Sequence, residues 1–157
     1  MSSLKKKTAN EPAVVARAVR YVQRGVRSTR DVTAYLTRLG FNTRQAQSVV
    51  EKFVQKGLLN DRACARLWAE HFARKGLSRP LIRLKLSGKG LGDYALEAIQ
   101  ELDVADDRQR ALSLVNQWQA KSSRLGKLSL ARRLAAYGFD EELINELIEN
   151  RQDSDTA

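Results

Sequence analysis

The chain has very little of the chemistry from which most active sites are made. It holds one cysteine, one histidine and one methionine in 157 residues, and aromatic residues make up 6%. Cys64 alone can form no intrachain disulfide, which fits a reducing compartment. Neither it nor His71 has the companions that a zinc site needs. No apolar run, Ala13 to Ala16 included, reaches the length of a signal-peptide core or a membrane span, so a cytoplasmic protein with no membrane contact is expected. No Gly-rich phosphate loop, metal-ligating cluster or catalytic triad pattern is present. The expectation is a protein that is not an enzyme, needs no cofactor or metal and takes no small-molecule substrate. It works by binding other macromolecules.

What is present is positive charge, unevenly spread. The net formal charge is +10. Residues 13–59 carry nine Lys/Arg against two Asp/Glu, a net +7; residues 60–104 carry +2, residues 105–157 carry −1, and the first twelve residues supply +2. A polyanionic partner therefore meets the front of the molecule first. The first twelve residues, with Lys5, Lys6 and Lys7, and the tail from Arg151 to Ala157 show no apolar period and are expected to be disordered.

The nine glycines fall mostly where an apolar helical pattern stops, and Pro12 and Pro80 stand at or before helix starts. Apolar residues recur at i, i+3, i+4, i+7 in Val15, Ala18, Val19 and Val22, in Val32, Tyr35, Leu36 and Leu39, and in Ala111, Leu114, Val115 and Trp118. No alternating strand pattern competes. Ser28 with Asp31 reads as a capping box, and Ser78 before Pro80 as a second helix start.

Self-similarity decides the architecture. Leu36-x-x-Leu39-Gly40-Phe41 returns as Leu86-x-x-Lys89-Gly90-Leu91 and as Leu134-x-x-Tyr137-Gly138-Phe139. Val32, Ile82 and Leu130 align ahead of these anchors. After them, Ala46, Leu96 and Ile144 fall six residues past the glycine, and Val49, Ile99 and Leu147 nine. Ser28 and Ser78 align with Gly126. The fold expected is all-α: three tandem three-helix repeats, over 13–59, 60–104 and 105–150, in an elongated, curved array whose copies complete one another's cores.

At these residues the chain resembles the RecX family, regulators of the bacterial recombinase RecA. The motifs that carry the likeness are Arg27-Ser28-x-x-Asp31-Val32-x3-Leu36-x-x-Leu39-Gly40-Phe41, Gly57-Leu58-Leu59-Asn60-Asp61-x3-Ala65, and Gly76-x5-Ile82-x3-Leu86-x-x-Lys89-Gly90-Leu91. The sequence departs from the family's habit at Cys64, where an aromatic residue is common, and at Lys85, where an acidic one is. The resemblance implies a negative regulator that lies along the groove of the RecA filament on single-stranded DNA, touches more than one subunit, and inhibits strand exchange, ATP hydrolysis and co-protease activity. The alternative is a basic, helix-turn-helix-like DNA-binding protein that acts without RecA.

The candidate binding residues are arginines of the first repeat. Arg17, Arg20 and Arg24 share the helix face opposite Val15, Ala18, Val19 and Val22. Arg27 and Arg30 follow, and Arg38 and Arg44 flank Gly40. Guanidinium forks suit carboxylates and phosphates alike, so these residues fit either a protein filament or a direct, weak nucleic-acid contact; a solvated helix face is the bland alternative. Trp68, Phe72, Trp118, Tyr21 and Tyr35 lie on apolar stripes and are expected in the core, as is Cys64, with His71 in a structural or solvent role. Asp140, Glu141 and Glu142 are expected at the start of a helix, while Glu146 and Glu149 either face solvent or meet a basic partner.

Overall fold

A computed structural model of the chain describes residues 11–151, and every regular element among them is an α-helix. The order is α1 (Glu11–Gln23), α2 (Thr29–Arg38), α3 (Thr43–Gln55), α4 (Asp61–Arg74), α5 (Arg79–Gly88), α6 (Gly92–Gln100), α7 (Asp107–Lys121), α8 (Lys127–Ala136) and α9 (Glu141–Glu149). The helices come in threes, each middle helix 10 residues long. The first helix starts at Glu11, two residues ahead of the expected boundary, because Pro12 sits in its first turn, where no N–H is required. Of the two ends expected to be disordered, residues 1–10 and 152–157 lie outside the described residues, while Glu11 and Pro12 belong to the first turn of α1.

The middle helices α2 and α8 close in the same way. Past α2 the Gly40 N–H donates to Thr37 O and the Phe41 N–H to Leu36 O; past α8 the Gly138 N–H donates to Ala135 O and the Phe139 N–H to Leu134 O. This is the Schellman arrangement, which satisfies the last carbonyls and needs a left-handed residue. Gly40, Gly90 and Gly138 hold φ of 92°, 77° and 88°, values that carry a steric penalty for any residue with a Cβ. The anchor leucines Leu36, Leu86 and Leu134 are wholly buried, each contributing roughly 2 kcal/mol by removal from water.

The chain divides into two compact units, Met1–Cys64 with Lys89–Leu91, and Ala65–Gly88 with Gly92–Ala157. In the first, α1, α2 and α3 enclose Val14, Ala18, Val32, Leu36, Ala46, Val49, Phe53 and Leu59. Tyr21 stacks on Tyr35, ring centroids 4.1 Å apart, at the edge of this core. In the second unit α5 packs on α6, and α7, α8 and α9 enclose Val115, Leu130, Leu134, Phe139, Ile144 and Leu147. Phe72 and Cys64 are buried as expected, while Trp68 and Trp118 are half-buried. His71 meets Trp68 edge-on at 5.4 Å, a packing role. Lys85 places its ammonium 5.6 Å from the Phe72 ring centroid, so the departure from the family's acidic residue is taken up by a cation–π contact.

One alignment fails. Ala46 and Ile144 are buried, but Leu96 is 58% exposed and Ala95 takes the interior position. The cause is the connection: α3 and α9 each start three residues after their glycine, with Asn42 and Asp140 as N-caps, whereas α6 starts at Gly92, two residues after Gly90. Losing one residue turns the start of the helix by about 100°. Leu96→Gln should therefore change the unfolding free energy by less than about 0.5 kcal/mol, whereas Ala95→Leu should cost about 1–3 kcal/mol by overpacking. Urea denaturation followed by circular dichroism measures both.

Candidate functional site

All seven candidate arginines lie in the first unit. Arg17 and Arg20 stand exposed on α1, one turn apart, and Arg24 follows just beyond its end. Arg27 is half-buried instead, its guanidinium carbon 4.2 Å from the Tyr21 ring centroid and its Nε enclosed. Arg30 is exposed in the first turn of α2, and Arg38 and Arg44 are exposed at the end of α2 and the start of α3. Arg44 also lines a hollow of about 220 Å³ with Glu11, Val14, Gln45, Ser48 and Val49. The exposed cations have few acidic neighbours on their own helices: Glu11 begins α1 and Asp31 is the sole acid of α2.

Asp31 is committed to structure. Its carboxylate accepts the Ser28 N–H at 2.9 Å and its own N–H donates to Ser28 Oγ at 3.1 Å, the capping box read from the sequence. Ser78, in the equivalent place, has Leu81 where Ser28 has Asp31, so it solves the problem differently. Its Oγ accepts the Leu81 N–H at 3.2 Å and donates to Gly138 O at 2.7 Å, and its N–H donates to Tyr137 O at 2.9 Å. The turn of the third copy thus replaces the missing carboxylate.

Two further carboxylates repeat, and periodicity alone did not single them out. Asp61, the first residue of α4, accepts the Thr29 N–H at 2.8 Å and the Thr29 hydroxyl at 2.7 Å. Asp107, the first residue of α7, accepts the Arg79 N–H at 3.0 and 3.3 Å through its two oxygens. In both cases the carboxylate that opens one copy's first helix caps the preceding copy's middle helix at its first residue. The neighbouring residue looks after its own helix: Asn60 Oδ1 accepts the Ala63 N–H at 3.1 Å and Asp106 Oδ1 the Gln109 N–H at 2.8 Å. The Asn60-Asp61 motif is a double cap, one residue for each helix. Its signal was available: Asp61 precedes Ser78 by the same 17 residues by which Glu11 precedes Ser28.

Asp107 does more than cap. Arg110, on the next turn and only 9% exposed, donates to it at 3.1 Å and gives its other nitrogen to the carbonyls of Ala73, at 3.1 Å, and Leu77. Burial pushes the Arg110 guanidinium below its usual pKa, with the charge of Asp107 acting the other way. Arg79 joins at 3.4 Å and reaches the carbonyls of Ala105 and Val104. Further along, Glu146 pairs with Arg108 of the same chain at the surface, and Asp140 caps α9 by accepting the Leu143 N–H at 2.8 Å.

Among the described residues no group of His, Cys, Asp and Glu could hold a metal ion, and no helix is long and apolar enough to cross a membrane. Three hollows among the described residues open at the surface, the one along α9 lined by four glutamates and Asn145.

No family model matches the chain. Curated relatives do. A regulatory protein RecX of Lactobacillus johnsonii is 26% identical across 100% of this chain and 59% of its own length. One of Amycolatopsis mediterranei is 28% identical over 71% of the chain and 65% of its own length, and one of Streptomyces coelicolor 29% identical over 80% and 69%. The chain thus spans about three fifths of the length of the first of these relatives. In fold, a crystal structure of RecX from Lactobacillus salivarius superposes with a TM-score of 0.68 at 19% identity, covering 89% of this chain and 95% of that one. A second crystal structure of regulatory protein RecX gives 0.71 at 16% identity over 89% of this chain and 71% of the other. Relatives in sequence and neighbours in fold carry one name, and along nearly its whole length the chain is similar to the RecX family of regulatory proteins.

Proposed function

We propose that this chain is a regulator of the RecA recombinase that binds the RecA filament on single-stranded DNA, lying along its groove across more than one subunit, and lowers strand exchange, ATP hydrolysis and co-protease activity. The observation that carries this reading is the likeness to regulatory proteins RecX over most of the chain, combined with a first unit rich in exposed arginine. Three helical copies spread contacts over several sites of a repeating polymer, where each added contact acts at the high effective concentration set by the others. The first copy leads contact with acidic or phosphate surfaces, through Arg17, Arg20 and Arg24 and with support from Arg30, Arg38 and Arg44.

The triple variant Arg17→Gln, Arg20→Gln, Arg24→Gln is expected to weaken inhibition of RecA ATPase and strand exchange at least tenfold, about the effect of losing 1.4 kcal/mol of binding. Helical circular dichroism should be unchanged, since all three side chains are exposed. Wild-type protein that leaves RecA activity unchanged at stoichiometric concentration would end this reading. The basic first unit also favours a second one, direct DNA binding without RecA. That reading requires saturable binding to bare DNA with a log–log salt slope of about −0.9 per phosphate neutralised, lost in the same variant.

A further inference from the structure

The near-neutral charge of the second and third copies is a cancellation between blocks of opposite sign. Residues 71–92 hold six Lys/Arg and no Asp/Glu, and residues 93–107 hold six Asp/Glu and no Lys/Arg. The order then repeats: residues 108–139 hold seven cations and no carboxylate, and residues 140–150 five carboxylates and no cation. In the fold each basic block takes in a middle helix, α5 or α8, and each acidic block the third helix that packs on it, α6 or α9. A partner meets surfaces rather than sums, so these copies are not electrically bland.

Several of the cations are committed within the second unit. Arg79 and Arg110 bind Asp107, Arg108 pairs with Glu146, and Lys85 and Arg133 lie over the rings of Phe72 and Trp118. Arg74, Lys75, Arg83 and Arg132 are different: all four are exposed, and no carboxylate of the described residues forms an ion pair with them. The fold brings their two blocks together. The Ser78 N–H donates to Tyr137 O at 2.9 Å, and a Cβ on Gly76 would stand 3.4 Å from Tyr137 Cε1, so the turn that joins Arg74 and Lys75 to α5 lies against the turn that ends α8. Arg83 stands about one turn from the start of α5, and Arg132 about one turn from the end of α8.

We infer that this junction of the second unit is a contact surface for single-stranded nucleic acid, with the guanidinium groups of Arg74, Arg83 and Arg132 on its phosphates. It rests on the second reading above, direct contact with DNA, and adds to the arginines of the first unit a surface that the net charge conceals. A strand offers an anion at every nucleotide, so a run of cations finds partners without exact placement; an acidic protein face would have to match each one. Leu84, next to Arg83, and Leu128, one turn before Arg132, are 68% and 64% exposed, the highest values for large apolar side chains among the described residues. Apolar groups among cations suit unstacked bases, whose faces a duplex hides. The carboxylates of α6 and α9 repel a strand and so confine it to the basic junction.

Fluorescence anisotropy of a labelled oligothymidine, titrated with the full chain over a series of potassium chloride concentrations, tests it. In the triple variant Arg74→Gln, Arg83→Gln, Arg132→Gln the log–log salt slope is expected to fall in magnitude by about 2, at about 0.7 for each phosphate contact on a single strand, and the affinity at low salt by about tenfold or more. The control variant Glu141→Gln, Glu142→Gln, Glu149→Gln raises the net charge by as much as the first lowers it and should leave the slope unchanged. Circular dichroism checks that both are folded; if the arginine triple is not, the double variant Arg83→Gln, Arg132→Gln takes its place, with an expected fall of about 1.4. A parent that binds no bare oligonucleotide overturns this inference together with the DNA reading. A parent that binds, with the same slope in the arginine variant, overturns the inference alone. So does a control that gains as much affinity as the arginine variant loses, because net charge and not a surface would then govern binding. An arginine variant that keeps its DNA affinity and loses inhibition of RecA overturns it too, since the surface would then belong to a protein partner.

Discussion

Asp107→Ala is expected to lower the unfolding free energy of the second unit by about 3–5 kcal/mol, the range for removing one partner of a buried ion pair. The carboxylate serves three donors at once: the Arg79 N–H, the Arg79 guanidinium and the buried Arg110 guanidinium. Without it the Arg110 charge remains enclosed with two carbonyls, which satisfy its hydrogen bonds and leave its charge unopposed. Asp61→Ala removes a carboxylate that accepts an N–H and a hydroxyl from Thr29, so its cost should be only about 1–2 kcal/mol. Urea denaturation of both variants gives the comparison. The decisive control is Arg110→Met, which removes the cation and keeps the methylene stem. Combined with Asp107→Ala it should lose less than the sum of the two single changes. Additive losses would mean that Asp107 acts only as a helix cap.

Gly138→Ala should cost about 2–4 kcal/mol, and Gly40→Ala only about 1–2 kcal/mol, although both glycines have nearly the same backbone. The left-handed conformation alone accounts for about 1–2 kcal/mol in each. At Gly138 the added methyl also collides with Ser78 Oγ and Leu81, displacing the bonds that Ser78 makes to Gly138 O and Tyr137 O, a further loss of about 1–2 kcal/mol. Thermal unfolding reads the totals. Hydrogen exchange at the Ser78 amide separates the causes: its protection should fall in Gly138→Ala and hold in Gly40→Ala. Equal losses in the two variants would refute the close packing at Gly138.

Much of the fold was legible because it rests on local chemistry. The capping box at Ser28 and Asp31, the glycine that ends each middle helix, and the leucine four residues ahead of it are each set within a few residues of chain. Leu96 shows where an alignment read by counting breaks down: the count from Gly90 is right, but one residue fewer in the connection turns the helix. The candidate arginines were legible as charge and not as geometry, since nothing in the sequence marks Arg27 as the one of the seven that packs over the Tyr21 ring. Asp61 and Asp107 were harder still. Their partners lie 32 and 28 residues away, beyond any periodicity of a single helix, and an acidic residue in a first turn already has a sufficient local explanation in the helix dipole. Arg110 breaks the apolar stripe at a buried position, which reads as a surface residue until its carbonyl partners are seen.

The capping of each middle helix from the next copy puts the folding unit out of phase with the repeating unit. A chain cut after Leu59 would keep one whole repeat and lose the carboxylate that closes α2, whereas a cut after Cys64 keeps it; the first compact unit does run to Cys64. Emerging from the ribosome, α2 is complete in sequence well before it is complete in structure, since it waits for the start of α4. The same offset makes whole-repeat duplication benign. An inserted copy brings a carboxylate for the middle helix before it, and its own middle helix takes one from the copy that follows, so each new junction repeats the one before it.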